Sequence, residues 1–445
     1  MTDAKRDLAA MFRRVRSVSD DLVAPLSERD FRSQTMPDVS PPYWNLGHTS
    51  WFFATNLLRR FRRMPPGYDD LDYPLNSYYE GLGPRLPRAQ RGEVSTPTTE
   101  RVRRYRAAVD DAVLAWIDAC PSADLAETQR LVTLGCEHER QHQELFVTEI
   151  HHIRWSAPAA ERRPYAAPAA PHRDAGATPP APLRQIEFAA AGTVLGYQGP
   201  SLADGGFCWD NELPAHRSVV GDYALADRLV TNREWLAFVE DGGYRDPLLW
   251  LSNGWQAVCR ERLEAPLYWQ RSEASYARYS LRGWAPLDLD APVCNVSFYE
   301  ADAFARWFGL QHGAWRGARL PREVEWEHAA RRHGFERAGA NLLDDDVTSC
   351  RFDVEPAPAS QASPGLRQLR GTAWEWTLSH YEPYPGFRPY DGALTEYNGK
   401  FMDNQRVLRG GSFATPQAQA RVAYRNFWPG DTRFQVSGVR LCVDC

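Results

Sequence analysis

The chain has 445 residues, 43% of them hydrophobic, and a formal net charge of −5. That length predicts two or three domains, and the composition excludes a disordered chain. The mild acidity makes neither nucleic acid nor an anionic membrane an expected partner. No apolar run approaches the ~20 residues that a transmembrane helix needs. The charged start M-T-D-A-K-R-D-L-A-A has no signal-peptide core, so a soluble cytoplasmic protein is expected. Eight scattered Cys fit reduced, mostly buried side chains in that compartment. Cys442-Val-Asp-Cys445 forms a lone C-x-x-C, which without a partner pair reads as a tail without function.

Residues 1–155 read as a helical domain. Leu8, Met11, Phe12, Val15, Val18 and Leu22 recur every three or four positions and predict a first helix. A second follows Pro41-Pro42 and ends near Met64-Pro65-Pro66-Gly67. It carries His48 among Trp44, Trp51, Phe52 and Phe53. A loop from Tyr68 to Pro97 is long enough to suggest function. Thr98 to Cys120 is a third helix, capped by Thr98 or Thr99 and stopped by Pro121. The fourth contains L-G-C-E-H-E-R-Q-H-Q-E, with no Gly or Pro from Cys136 to Ile153. Together these predict an up-and-down four-helix bundle, an architecture whose core often holds metals.

His138 and His142 are four residues apart, which places both imidazoles on one helix face. The string His138-Glu139-Arg140-Gln141-His142 contains H-E-x-x-H, but this is not the zincin pattern: the helix continues Gln143-Glu144, and a third ligand must come from elsewhere. A lone His on an apolar face is usually a satisfied core residue; paired with a distant His-x-x-x-His, His48 becomes a candidate third nitrogen. Three neutral His leave positions open for substrate and oxygen. The spacing does not choose among iron, zinc, copper and nickel.

Residues 156–182 are rich in Pro and Ala and read as a fairly stiff linker. Residues 183–445 change texture, with short segments between Gly, Pro and Asp turns. This predicts an irregular α+β domain. Two clear helices are expected near Thr231–Glu240 and Ser297–Phe308, with capping boxes Thr231/Glu234 and Ser297/Glu300. A short one is expected over Arg322–Arg332.

W-N-L-G-H-T-S-W-F-F, N-S-Y-Y-E-G-L-G-P-R and H-E-R-Q-H-Q-E, taken together, resemble the ergothioneine-type sulfoxide synthases. The likeness continues through D-N-E-L-P-A-H, R-L-P-R-E-V-E-W-E, A-W-E-W-T, E-Y-N-G-K-F-M and V-L-R-G-G-S. It implies a DinB-like bundle followed by a formylglycine-generating-enzyme/sulfatase-modifying domain of C-type-lectin-like fold. It implies an iron(II) enzyme that uses O2 to join a sulfur donor to the imidazole of hercynine. The donor would be cysteine, γ-glutamylcysteine or, in the related selenoneine synthases, a selenosugar. His48, His138 and His142 would hold the metal. Tyr78 and Tyr79 would give a proton or hydrogen atom, although either could equally anchor the loop. Arg88 would clamp the donor's carboxylate, unless it, Arg85 and Arg91 are equals in a solvated basic loop. Gln141, Tyr397, Asn426, Phe427 and Trp428 would hold hercynine, with aromatic faces toward its trimethylammonium.

Some positions depart from the family. Asn45 and Asn295 stand where His is expected, Glu137 where a second His is common, and Phe413 where Cys is common. Leu394 replaces a Tyr used in another branch. An alternative is a metal-dependent DinB-type thiol transferase without oxygen chemistry, against which the long second domain argues.

Overall fold

The computed structural model describes residues 2–166, 182–272, 275–335, 340–357, 365–391 and 396–445. Most of the Pro/Ala-rich segment, and Leu394, lie outside the described residues. The first domain contains α1 (Asp3–Val23), α2 (Glu28–Arg32), α3 (Pro42–Phe53), α4 (Asp72–Leu75), α5 (Thr99–Ala119) and α6 (Ser122–Ser156). The four long helices α1, α3, α5 and α6 form the bundle. On α1 the stripe Leu8, Phe12, Val15 and Leu22 is buried, as its spacing predicts. Every residue of α3 is buried, so this helix has no face toward solvent. It runs on into a π-helical turn at Ala54–Leu58, closed by the amide of Arg59 on the carbonyl of Ala54 at 2.8 Å. The Thr98 side chain caps α5 by accepting from the Arg101 amide at 3.2 Å.

α6 has 35 residues, about 50 Å at 1.5 Å per residue, and belongs to both domains. Its flank toward the bundle is locked by ion pairs. Glu139 is fully buried and accepts from Arg16 at 2.8 Å and Arg106 at 2.9 Å, tying α6 to α1 and α5. Gly135 sits so close to Phe53 that a Cβ there would lie 2.3 Å from the ring. The opposite flank carries the second domain. Trp374 donates to Glu144, Gln419 donates to the Glu137 carbonyl at 2.7 Å, and His151 meets the Tyr279 carbonyl at 3.1 Å.

Among the described residues the second domain holds four small sheets, built from β1 (Gln185–Phe188), β2 (Ala191–Leu195), β3 (His216–Val220), β4 (Tyr223–Ala226), β5 (Trp269–Arg271), β6 (Tyr276–Ser280), β7 (Gly283–Pro286), β8 (Trp374–His380), β9 (Gln405–Arg409), β10 (Asn426–Pro429), β11 (Ser437–Gly438) and β12 (Cys442–Asp444). They are ordered β1-β4-β12, β10-β9-β8-β11, β2-β3 and β5-β6-β7. Helices α7 (Asn232–Glu240), α8 (Ser252–Glu261), α9 (Phe298–Gln311) and α10 (Glu323–Arg332) pack around them. Both anticipated capping boxes form, at Thr231/Glu234 and Ser297/Glu300. α8 has no side-chain cap at its start, so no capping residue marks it in the sequence. The Cys442 end of the chain is a strand paired antiparallel with β4, Cys442 against Leu225; Cys442 is buried and Cys445 exposed. The four-stranded sheet faces α6. Its edge strand β10, paired Asn426 to Leu408, presents Asn426, Phe427 and Trp428 toward the junction.

Glu139 is the letter E of the H-E-x-x-H string, and its ion pairs predict a role in stability. Burial pushes its carboxyl up, but Arg106 and Arg16 outweigh that and bring it down to about 2. A carboxyl depressed in the folded state contributes stability above its unfolded value of ~4.3, and this is lost as pH falls toward 2. Removing it leaves two buried guanidinium groups without their shared anion. Glu139→Ala is expected to cost roughly 3–5 kcal/mol, measured by denaturant unfolding at neutral pH. The difference from wild type should narrow in acid.

Candidate functional site: a three-histidine centre at the domain junction

The bundle delivers three imidazoles to one point. Ring centroids are 5.1 Å apart for His48 and His138, 5.0 Å for His48 and His142, and 4.7 Å for His138 and His142. One nitrogen from each lies within 4.8 Å of the others. His48 is fixed by its Nδ1 on the Leu75 carbonyl at 2.7 Å and by stacking on Trp44 at 4.7 Å, which commits Nδ1 as donor. His142 is fixed by Nδ1 on Asn45 Oδ1 at 3.0 Å. Asn45 in turn donates its amide to Glu149, which also accepts the Ser40 amide at 3.1 Å. The Glu149 carboxyl oxygens therefore set the amide orientation, and the amide oxygen sets the His142 tautomer. His138 stacks on Phe52 at 3.9 Å, and both its ring nitrogens are buried without a partner.

Burial in this apolar setting lowers the basicity of all three rings, His142 to about 3 and the others well below the usual value, with the neighbouring His142 adding to the effect on His48 and His138. They are neutral at physiological pH and offer lone pairs. An orphaned imidazole beside two with one nitrogen committed is a donor set suited to a divalent metal, and second-shell partners of this kind fix ligand orientation.

Glu139 points away from this cluster into its ion pairs, so it is no base here. The Asn45 departure from the family pattern keeps a polar link to Glu149. Asn295 has a left-handed backbone (φ 62°) and donates to the Gln435 carbonyl at 2.9 Å. Glu137 pairs with Arg140, and Phe413 is buried in the core.

A cavity of about 250 Å³ opens between the domains and reaches the cluster at His142. Its far wall is the second domain: Asn426, Phe427 and Trp428 on β10, and Tyr397. Tyr397 stacks on Trp209 at 4.7 Å, lies 5.7 Å from His138 and donates to Gln141 Oε1. Gln141 Nε2 donates to the Tyr424 hydroxyl at 2.9 Å, so Gln141 is held between two tyrosines. Phe427 stacks on Tyr381 at 4.0 Å. On the near side, Tyr78 lines the cavity. Tyr79 is fully buried behind it, its ring 5.0 Å from Tyr78 and 5.7 Å from Trp51. Burial raises the pKa of both phenols above the usual value, and Tyr78 adds to the effect on Tyr79. Both therefore carry their protons at neutral pH.

Arg88 also lines the cavity and donates to the Asp38 carbonyl at 3.3 Å. Arg85 is engaged by Glu80. The three arginines are not equals in a solvated loop, since Arg91 is the most buried of them. Its guanidinium lies 3.4 Å above the Trp44 ring and donates to Ser40 and Ser77 hydroxyls at 2.8 and 3.2 Å. Arg91, Tyr424, Glu149 and Trp209 were not singled out by sequence reasoning, because each belongs to the site only through a distant partner. Trp374 and Trp376 are core residues, each 0% exposed.

Two outcomes follow from the cluster. His48→Ala, His138→Ala and His142→Ala should each lose bound divalent metal, read by metal analysis after dialysis, while the fold persists by circular dichroism. Asn45→Ala should keep all three ligands yet weaken metal affinity by about 10–100-fold, read by titration with cobalt(II) and its visible bands.

Residues 11–146 match the DinB superfamily, and residues 181–445 match the sulfatase-modifying factor enzyme 1-like domain. A hercynine oxygenase from Mycolicibacterium thermoresistibile is 32% identical over 94% of this chain and 90% of its own length. One from Mycobacterium tuberculosis is 33% identical over 92% of each chain. Ergothioneine biosynthesis protein 1 of Schizosaccharomyces pombe is 26% identical over 53% of this chain and 27% of its own. A bundle bearing three histidines, a second domain closing the cavity over them, and this identity over nearly the whole chain place the protein in the hercynine oxygenase family.

Proposed function

We propose that the protein catalyses the oxygen-dependent formation of a carbon–sulfur or carbon–selenium bond at the imidazole of hercynine, with iron(II) held by His48, His138 and His142. The observation that carries this reading is the joint construction of the cavity. The bundle supplies neutral nitrogens, and the second domain supplies aromatic and amide groups facing them. When bound, iron(II) supplies the one-electron chemistry of oxygen.

The protein's own residues do the rest. Tyr397, Phe427 and Trp428 offer aromatic faces to the trimethylammonium, an attraction worth about 0.5–2 kcal/mol per contact. Asn426 and Gln141 hold the carboxylate and imidazole by hydrogen bonds. Gln141 is preset by Tyr397 and Tyr424, so its amide loses little freedom when hercynine arrives. Tyr78 is protonated, faces the cavity and is the group we assign to proton delivery; Tyr79 supports it from behind. Arg88, with Arg91 beside it, faces the donor. The donor is a thiol or selenol, and a carboxylate on it would pair with these guanidinium groups. A DinB-type thiol transferase would leave the β10 wall without a purpose. All eight cysteines are free, the state a reducing cytoplasm maintains, and we place the protein there. Among the described residues, no helix is long and apolar enough to cross a membrane.

Oxygen uptake with iron(II), hercynine and each donor tests the assignment; no uptake with cysteine, γ-glutamylcysteine or a selenosugar would overturn it. Tyr78→Phe should lower kcat by about 10²–10⁴-fold, the usual worth of a positioned acid, and should do so more than Tyr79→Phe. Arg88→Ala should raise KM for a carboxylate donor by at least ~30-fold, since such contacts cost ~2–5 kcal/mol. With a selenosugar, which has no carboxylate, the change should be smaller.

A further inference from the structure

The loop carrying Tyr78 and Tyr79 belongs to the first domain, yet part of its support comes from the second. The Glu396 carboxylate accepts the backbone amides of Glu80 at 2.9 Å and Gly81 at 2.8 Å. Lys400 pairs with Glu396 at 2.7 Å and donates to the Tyr78 carbonyl. Its ammonium also lies 5.5 Å from the Tyr78 ring centroid. Phe401 packs edge-on against the same ring at 4.9 Å. These residues are spaced i, i+4 and i+5, so one short turn presents all three to the loop.

That turn is itself anchored in its own domain. Tyr397 stacks on Trp209, and Asn398 donates to Asp210 at 2.6 Å. On the other side, Asn76 fixes the loop's inner curve, accepting the Tyr79 amide at 3.2 Å and donating to the Tyr79 and Gly83 carbonyls at 3.1 Å. Asn76 does not reach the outer amides: that of Glu80 is shared between Glu396 and the Tyr78 carbonyl at 3.0 Å, and that of Gly81 is met by Glu396.

We propose that Glu396 and Lys400 are positioning residues: an inter-domain clasp that sets the Tyr78–Tyr79 loop over the histidine centre. The two charges bracket one turn of backbone, the carboxylate taking its outward amides and the ammonium its carbonyl. Amide-to-carboxylate bonds are directional and charge-assisted, so they fix the loop's height and tilt as well as its proximity. The pair is about one-third exposed, at 33% for Lys400 and 28% for Glu396. The ion pair itself is therefore of small consequence, and the backbone contacts are the operative part. The consequence for catalysis rests on the reading of Tyr78 given above; the clasp does not.

Hydrogen exchange of peptides spanning residues 76–86 tests this without any substrate. In Glu396→Ala, the amide of Gly81 should exchange at least ~10-fold faster, the factor that ~1.4 kcal/mol of lost protection gives, and that of Glu80, which keeps the Tyr78 carbonyl, should speed up less. Peptides from α6 should be unchanged. Glu396→Gln, whose single carbonyl can accept one amide, should fall between. The exchanged pair Glu396→Lys with Lys400→Glu should stay fast, because lysine accepts no hydrogen bond; restored protection would reduce the clasp to a simple ion pair and overturn the proposal. Unaltered exchange in Glu396→Ala, with the variant folded, would overturn it as well. In turnover, kcat should fall with the KM for hercynine near wild type, and the Gln variant should recover part of it. Altered exchange in a protein that does not consume hercynine would sink the functional reading while leaving the clasp in place.

Discussion

Burial of a polar helix on nearly every side, from Leu131 to Arg154, is the constraint from which this molecule follows. α6 carries His, Glu, Gln and Arg through the protein interior, and a buried polar group without a partner costs 1–3 kcal/mol or more. Partners must therefore arrive from all directions. Arg16 and Arg106 come from the bundle, and Trp374, Gln419 and Tyr424 from the second domain. The domains are joined by this demand for hydrogen bonds as much as by apolar contact. His151 and Arg154 each keep one unmatched nitrogen but bond through another, whereas His138 has neither ring nitrogen bonded. The His138 nitrogens lie where the two sets of partners meet.

Desolvation then separates the charged groups by task. The same burial that keeps the three imidazoles neutral raises Glu149 to about 8 and Glu144 to about 7. Glu139 escapes that rise because two arginines face it. Two glutamates on one helix, five and ten residues from Glu139, thus differ from it in charge by virtue of neighbours alone. Burial outweighs the pull of Glu139 toward a protonated His142, and Arg91 and Arg88 oppose that protonation as well. A cation entering the cluster meets lone pairs already aligned, so little reorganisation is required.

The sequence was most informative where chemistry repeats at helical spacing. The His138/His142 pair, the α1 stripe and the capping boxes at Thr231 and Ser297 could be seen because each depends on residues within four positions. The DinB-like and sulfatase-modifying architecture was reached through long motifs shared with relatives. What stayed hidden depends on partners hundreds of residues apart. Nothing in R-L-P-R-A-Q-R-G marks Arg91 as the buried arginine, because its burial is set by Trp44, Ser40 and Ser77. One step from His138 turns Glu139 ~100° around the helix, but that Arg16 and Arg106 meet it there depends on α1 and α5. α8 was missed for a local reason, since it begins without a capping side chain.

The π turn after α3 bears on how this chain can change in length. It holds one residue more than an α-helical turn and confines that excess to Ala54–Leu58. A one-residue deletion there would convert the turn to ordinary helix, leaving the flanking segments in phase and His48 in place. The same deletion between Tyr43 and His48 would rotate the imidazole by about 100°, off Leu75 and out of the cluster. Length variation in this helix is therefore permissible at one end and prohibited at the other, with the boundary just beyond the last aromatic of W-F-F.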